Sequence, residues 1–458
     1  MSGIRQIVPV PDGGRRFRAY TAKHLDALTA RAGLGEAERL AVRAVGTVLP
    51  FRTNAYVIDE LIDWGAAPDD PLYRLVFPQA DMLPAADVAR ITALLARGAP
   101  EPEVTAAAHE VRMRLNPHPA GQLALNIPDL DDEALPGVQH KYAETVLVFP
   151  KQGQTCHAYC AYCFRWAQFV DEPDLKMATA DLGRVMGYLR QHREVTSVLI
   201  TGGDPMIMGA TVLRRYIEPL LEPGLEHIES VRIGSKALAY WPQRFVSDPD
   251  ADDTLRLFEQ VVASGRSLAF MAHFSHPREL GSALAARASS RIRSTGAVIR
   301  TQAPLIRTIN DDPAIWSAMW RTQVRMGMVP YYMFVERDTG PQDYFAVPLS
   351  RAHGIFCDAY RQVAGLCRTV RGPSMSATPG KVCVDGIADV AGQRVFVLHM
   401  IQARDPDLVG KPFFAHYDPD ATWLTDLRPA FAGRFPFEAA DAEDLPGLWS
   451  PEVFEPAS

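Results

Sequence analysis

From Tyr142 to about residue 345 the chain repeats one pattern, and that pattern leaves few folds open. Short runs rich in β-branched and aromatic residues, TVLVFP, VTSVLI, SVRIGS, SLAFMAHF, AVIRTQ and MVPYYMF, are separated by helix-length segments such as ADLGRVMGYLRQHRE, DDTLRLFEQVVASG and PAIWSAMWRTQVRMG. Apolar residues in those segments recur at helical spacing, which gives each segment a face that can cover a sheet. Six such runs alternating with helices predict an α/β fold with a parallel sheet, either open and doubly wound or a partial barrel. Both architectures bind ligands at the carboxyl ends of the strands, so chemistry is expected directly after the runs.

The flanks are plainer. Residues 1–140 read as mostly helical: TAKHLDALTARAGLGEAERLAVRAV and PAADVARITALLARGA carry helically spaced apolar residues, and turn-rich stretches such as NPHPAG interrupt them. No chemistry is legible there, and the charged residues read as solvated helix faces. Residues 141–345 form the alternating unit. Residues 346–458 form a carboxyl-terminal extension with one helical segment (SRAHGIFCDAYRQVAG), a Gly/Pro/Ser stretch, strand-like QRVFVLHM and a Pro-rich tail. A hydrophobic share of 47% with 22% charged residues argues for a folded chain. A net charge of -7 gives no general basis for holding nucleic acid. The amino terminus has no apolar core of signal-peptide length, and no run approaches the roughly 18 apolar residues of a membrane span, so the expectation is a cytoplasmic protein.

Six cysteines are too few for a disulfide framework, yet three of them crowd into QTCHAYCAYCFRW, directly after the first run. The spacing of Cys156, Cys160 and Cys163 is C-x3-C-x2-C. Three thiolates on one loop can each hold one iron of a cubane and leave the fourth iron open to another ligand. One alternative is a zinc knuckle with His157 as fourth ligand, an awkward chelate beside Cys156. The other is three unconnected buried thiols, which one aromatic loop does not normally pack. The second motif, Gly202-Gly203-Asp204, ends the second run. Paired glycines let backbone approach a ligand closely, and an adjacent carboxyl or carbonyl can accept from an ammonium, although the motif alone also reads as a turn.

With Tyr162 just before the third cysteine, the loop resembles that of the radical S-adenosylmethionine superfamily. There the methionine moiety chelates the open iron, and electron transfer cleaves the sulfonium to release a 5'-deoxyadenosyl radical. HKYAETVLVF, VLITGGDPMIM, VRIGSKALAYWPQRF, AHFSHPREL, TQAPLIRTIND and VPYYMF, in this order within residues 50 to 400, resemble the lysine 2,3-aminomutase family. The resemblance implies a partial (β/α)6 barrel with a helical amino-terminal region and a carboxyl-terminal extension. It also implies a 4Fe-4S cluster, S-adenosylmethionine and pyridoxal 5'-phosphate, used to move an amino group between neighbouring carbons of an amino acid. An external electron donor follows from this, a homo-oligomer is possible, and neither nucleic acid nor membrane is expected as a partner.

Carried over by position, the resemblance assigns Cys156, Cys160 and Cys163 to the cluster. Tyr162, Gly202, Gly203, Asp204, Ser235, His273 and Gln302 fall to adenosylmethionine. Arg165 stands where the family holds the substrate carboxylate, a role suited to a guanidinium fork. Lys381 stands where the family carries its Schiff-base lysine, with Lys141 and Tyr142 near the cofactor. Two departures are visible: only Pro379-Gly380 precede Lys381 where the family has a run of glycines, and Thr145 stands where the family has an arginine. Members acting on lysine hold its distant ammonium with two aspartates. Those positions are Arg337 and Ser374 here, or Asp338 after a one-residue shift, an exchange that disfavours a cationic substrate. Two rival readings stay open: a radical enzyme on this scaffold without pyridoxal phosphate, performing another hydrogen abstraction, and a metal-stabilised binding protein whose cysteines are structural.

Overall fold

Every one of the six runs is a strand. The computed structural model describes residues 17–438 apart from 171, 173 and 174. An edge strand, β1 (Val138–Tyr142), pairs antiparallel with β2 (Thr145–Val148). β2, β3 (Ser197–Ile200), β4 (Ser230–Ser235), β5 (Ser267–His273), β6 (Val298–Leu305) and β7 (Val329–Val335) then lie side by side in parallel, each beside its predecessor in the chain. β5 shows why the runs are so apolar: it is buried from Leu268 to Ala272, as expected of a strand covered on both faces.

The crossovers are the helices α1 (Leu182–Gln191), α2 (Ala210–Ile217), α3 (Ala251–Ala263), α4 (Ala283–Ser294) and α5 (Pro313–Arg325). Their starts are encoded locally. Asp181, Ser282 and Asp312 accept from the N–H groups of Arg184, Ala285 and Ala314, and Pro313 takes the first turn of α5. Each such cap is worth about 1 kcal/mol. α3 buries Leu255, Phe258 and Val261, and Phe258 meets Phe270 of β5 at 6.3 Å between ring centroids. The α/β expectation is met.

The extension differs from its reading as one strand after a loop. Following α6 (Leu349–Arg361), β8 (Arg371–Ser376) adds to β7 in parallel, and β9 (Gly380–Val390), β10 (Gln393–Ala403) and β11 (Pro412–His416) continue antiparallel in the same sheet. RGPSMS and GKVCVDGIADV carry glycine and proline at turn-like spacing, so their pairing comes from neighbours rather than local pattern. A second core, including Val335, Met375, Val382, Phe396 and Trp423, packs beneath them. The sheet curls until the β9–β10 hairpin meets β1. Lys141 donates to the Ala377 carbonyl, Gln402 to the Glu144 carboxylate at 2.5 Å, and Arg404 to the Leu125 carbonyl at 3.0 Å. The amino-terminal region is mainly helical, broken by Gly33 at φ +81°, and shares the main core through Val45, Leu72, Ile91 and Val111. Among the described residues no helix is long and apolar enough to cross a membrane.

Candidate active site

The thiol loop leaves β2 and is clasped by the amino-terminal region. Tyr159 N–H donates to the Arg52 carbonyl at 2.8 Å and Ala161 N–H to that of Leu75 at 2.7 Å. Asn54 Nδ2 donates to the His157 and Tyr240 carbonyls at 3.4 and 3.0 Å. Nothing in the sequence announced this clasp, because all four of these acceptors are backbone carbonyls. All three loop cysteines are free thiols. Burial pushes Cys160 up to about 11 and Cys163 up to about 12, and Cys156 well above its ordinary value, with the neighbouring thiols adding to Cys156 and Cys163. Ionising three such neighbours is unfavourable without cations among them, and the iron ions of a cubane supply that charge. The donor set fits a cluster.

Gly202 and Gly203 are explained by the same loop. Gly202 has φ +151°, and a Cβ on Gly203 would lie 2.2 Å from the Thr155 carbonyl oxygen. Gly203 N–H donates to Gly153 O at 3.0 Å and Asp204 N–H to Thr155 O at 2.9 Å. The paired glycines therefore admit the protein's own backbone. We expect Gly203→Ala to cost about 1–3 kcal/mol as an overpacking change. It should also displace the thiol loop, so thermal denaturation and iron retention should both fall.

Asp204, which the sequence offers as an ammonium acceptor, is buried and already served by protein donors. It accepts from Ser235 Oγ and Lys236 N–H at 2.8 Å each, from Met206 N–H at 2.9 Å, and lies 3.0 Å from His157 Nε2. Burial alone would raise its carboxyl, but His157 and these N–H groups outweigh it and hold it below the usual carboxylate range. Asp204 thus ties β3, β4 and the thiol loop together. Cys156, His157 and Asp204 have ligand atoms within 4.8 Å of one another, whereas the zinc alternative needs His157 grouped with all three thiols, and Cys160 and Cys163 are outside that group.

The remaining strand-end residues gather on neighbouring strands. Ser235 ends β4, His273 ends β5, and Gln302 lies across from His273 on β6, with 2.7 Å between their side-chain nitrogens. Burial, followed by the cations of Lys236 and Arg165, lowers His273 to about 3, so its imidazole is neutral at physiological pH. Tyr162 shares a hydrogen bond of 3.0 Å with Ser275. Below the loop a buried ion pair, Lys236 with Glu279 at 2.8 Å, sits close enough to bias Cys160. Sequence reasoning missed this pair, although Lys236 directly follows Ser235 at the strand end.

Two guanidiniums converge on Phe164. The Arg165 guanidinium carbon lies 4.9 Å from that ring's centroid and that of Arg337 lies 4.7 Å from it. Arg165 Nη1 donates to Gly202 O at 2.7 Å, while the Nε–H of both arginines is buried without a partner. Burial lowers both, Arg165 to about 10, with Arg337 contributing to that shift. Asp338 instead accepts from Asn116. Ser374 is fully buried within β8, its hydroxyl 3.5 Å from the Met333 carbonyl.

Lys381 and Lys141 stand at the seam between β9 and β1. Lys381 Nζ is 4.2 Å from the Tyr332 ring centroid and 3.2 Å from Gln402 Oε1. Burial, reinforced by Arg232 and Arg371, lowers it to about 7. Burial and the cations of Arg404, Arg337 and Lys381 lower Lys141 well below its ordinary value, and its ammonium lies 5.4 Å from the Tyr142 ring. Arg232 Nη2 is 3.5 Å from Thr145 Oγ1, so a guanidinium from a nearby strand occupies the neighbourhood of the missing arginine. Its Nε–H is also buried without a partner.

No family model matches the chain. Over 396 residues it is 30% identical to a protein of Aquifex aeolicus named "Putative L-lysine 2,3-aminomutase", covering 85% of this chain and 91% of that protein. It is 27% identical over 236 residues to the L-lysine 2,3-aminomutase of Clostridium subterminale, 52% of this chain and 53% of that enzyme, and so spans about half of the latter. A radical SAM methyltransferase from Sphaerobacter thermophilus superposes with a TM-score of 0.35 at 14% identity, covering 62% of this chain and 93% of that one. The protein is an enzyme of the radical S-adenosylmethionine class, which is built around a 4Fe-4S cluster and that cofactor. Within that class, the chain belongs to the lysine 2,3-aminomutase family.

Proposed function

We propose that this enzyme moves an amino group between adjacent carbons of an amino acid whose side chain is neutral or acidic. The observation that carries the reading is the pair of half-buried guanidiniums, Arg165 and Arg337, sharing Phe164 with buried, unpartnered Nε–H groups. Two half-buried like charges with unpartnered buried donors are tolerated best with an anion between them. Arg165 takes the α-carboxylate and Arg337 the distal group. A substrate ammonium at Arg337 would be repelled.

When bound, the cluster with adenosylmethionine would supply a carbon-centred radical, and pyridoxal 5'-phosphate would supply an aldehyde and a conjugated ring. Cys156, Cys160 and Cys163 hold the cluster. Tyr162, Gly202, Gly203, Asp204, Ser235, His273 and Gln302 shape the adenosylmethionine side, and neutral His273 adds no positive charge near a sulfonium. Lys381 would hold the pyridoxal aldehyde, with Lys141 and Tyr142 beside it. The unpartnered Nε–H of Arg232 suits an anionic group such as a phosphate. Burial of these side chains keeps water from the reacting atoms. An external donor supplies the electron.

The test is a competition among lysine, glutamate and a neutral amino acid, scored by substrate-dependent deoxyadenosine and by new β-amino acids. Glutamate or the neutral amino acid should win. Arg337→Asp should lose a charge-assisted bond of about 1.5–3 kcal/mol, roughly ten- to a hundredfold in affinity for an acidic substrate, with iron and sulfide content unchanged. Preference of the wild type for lysine would overturn the electrostatic reading.

A further inference from the structure

A second set of metal-binding side chains lies outside the thiol loop and the Lys381 group. Cys383 and Asp385 are two apart on β9, so strand periodicity puts them on one face, and His399 pairs directly with Cys383 across the antiparallel ladder. The register shift between Val384 and Gly386 falls at Asp385, where a bulge re-aims its carboxylate. As a result one sulfur, one carboxylate oxygen and one imidazole nitrogen lie within 4.8 Å of one another, and Asp385 Oδ2 is 2.5 Å from His399 Nδ1. α6 packs His353 and Cys357, one helical turn apart, against the same strands. His353 Nε2 is 3.1 Å from the Asp385 carbonyl oxygen and 3.4 Å from Cys357 Sγ. Cys383 is buried, while the side chains of Asp385 and His399 are 39% and 30% exposed, which leaves an entry path.

We propose that Cys383, Asp385 and His399 bind a zinc ion, with water completing the tetrahedron on the exposed side. A mixed thiolate, imidazole and carboxylate set suits tetrahedral Zn2+ rather than the all-oxygen cages of calcium or magnesium. The ion pins β9 to β10. It serves the hairpin that carries Lys381 and takes no part in the chemistry at the thiol loop. Cys383 pairs with Ser374 on its other side, so the site also braces β8.

The experiment uses the full chain, purified anaerobically, reconstituted with iron and sulfide, incubated with one equivalent of zinc chloride and passed through a desalting column. Zinc, iron and sulfide are then measured together. About one zinc per chain is expected in addition to the cluster iron. Cys383→Ser and His399→Ala should each lower retained zinc at least about tenfold while iron and sulfide are kept, which also shows that the variants fold. Cys160→Ala should do the reverse. If a variant is too unstable to purify, cobalt replaces zinc in the wild type, where a thiolate-to-cobalt charge-transfer band is expected with the cluster cysteines already occupied. Wild-type protein that retains no zinc, or zinc retained equally by the Cys383→Ser, His399→Ala double variant, would overturn the site and leave an ion pair beside a packed thiol.

Discussion

Replacing Cys160 with alanine is expected to abolish both the cluster and the reductive cleavage of adenosylmethionine. Three protein thiolates hold a cubane whose fourth iron must stay open, so there is no spare ligand on the loop to take the place of the one removed. The loop itself should survive, because the Cys163 N–H to Cys160 carbonyl bond of 3.0 Å and the clasp from Arg52 and Leu75 are backbone interactions. Iron and sulfide content, visible absorbance and deoxyadenosine release should therefore fall at least about a hundredfold without loss of helical circular dichroism. Cys156→Ala and Cys163→Ala should match it. Replacing Cys357, Cys367 or Cys383 should leave iron and sulfide unchanged. A Cys160→Ala protein that still cleaves adenosylmethionine after reconstitution would rule out the cubane assignment.

The second large effect is expected at Lys381. Its amine, ordinarily near 10.5, is lowered to about 7 by burial and then by Arg232 and Arg371, with Glu144 opposing. The neutral amine is the form that attacks an aldehyde, so its fraction grows as pH rises through about 7 and then saturates. Borohydride trapping of pyridoxal phosphate should follow that curve in the wild type and nearly vanish in Lys381→Ala, while iron and sulfide are retained. Peptide mapping makes the result specific, since burial also lowers Lys141. Label found on Lys141 would move the assignment to β1. A wild type that traps no pyridoxal phosphate at any pH would favour the pyridoxal-free radical enzyme, and Lys381 would then be a buried lysine held by Gln402.

The parallel strands were the most legible part of the fold because a strand covered on both faces must be apolar throughout, as β5 is from Leu268 to Ala272. The same logic hid β9. Its outer half, Asp385 to Val390, is partly exposed and contains Gly386 at a register shift, so it reads as a turn. At the site, residue types with steep chemical requirements were visible, above all the thiol triplet and Arg165. Roles set by proximity were not. Asp204 offers the same carboxylate in sequence whether it meets a ligand or, as here, Ser235, Lys236, Met206 and His157. Gly203 similarly signals a close approach without saying that Thr155 is what approaches.

The hairpin that meets β1 also sets an order of events in time. The hydrogen bond from Gln402 to Glu144 joins residues 258 positions apart, and that from Lys141 to Ala377 spans 236. Such contacts form only after the intervening strands have paired, because the loop they close is long and its entropy must be met by structure already in place. During synthesis the thiol loop and the parts of its clasp from Arg52, Asn54 and Leu75 leave the ribosome while the Lys381 hairpin is still unmade. A chain stalled or truncated before Ala403 would present the thiols on a sheet whose edge strand β1 lacks the hairpin that covers it in the complete fold. Premature termination in this last stretch should therefore yield an aggregation-prone protein rather than a merely inactive one.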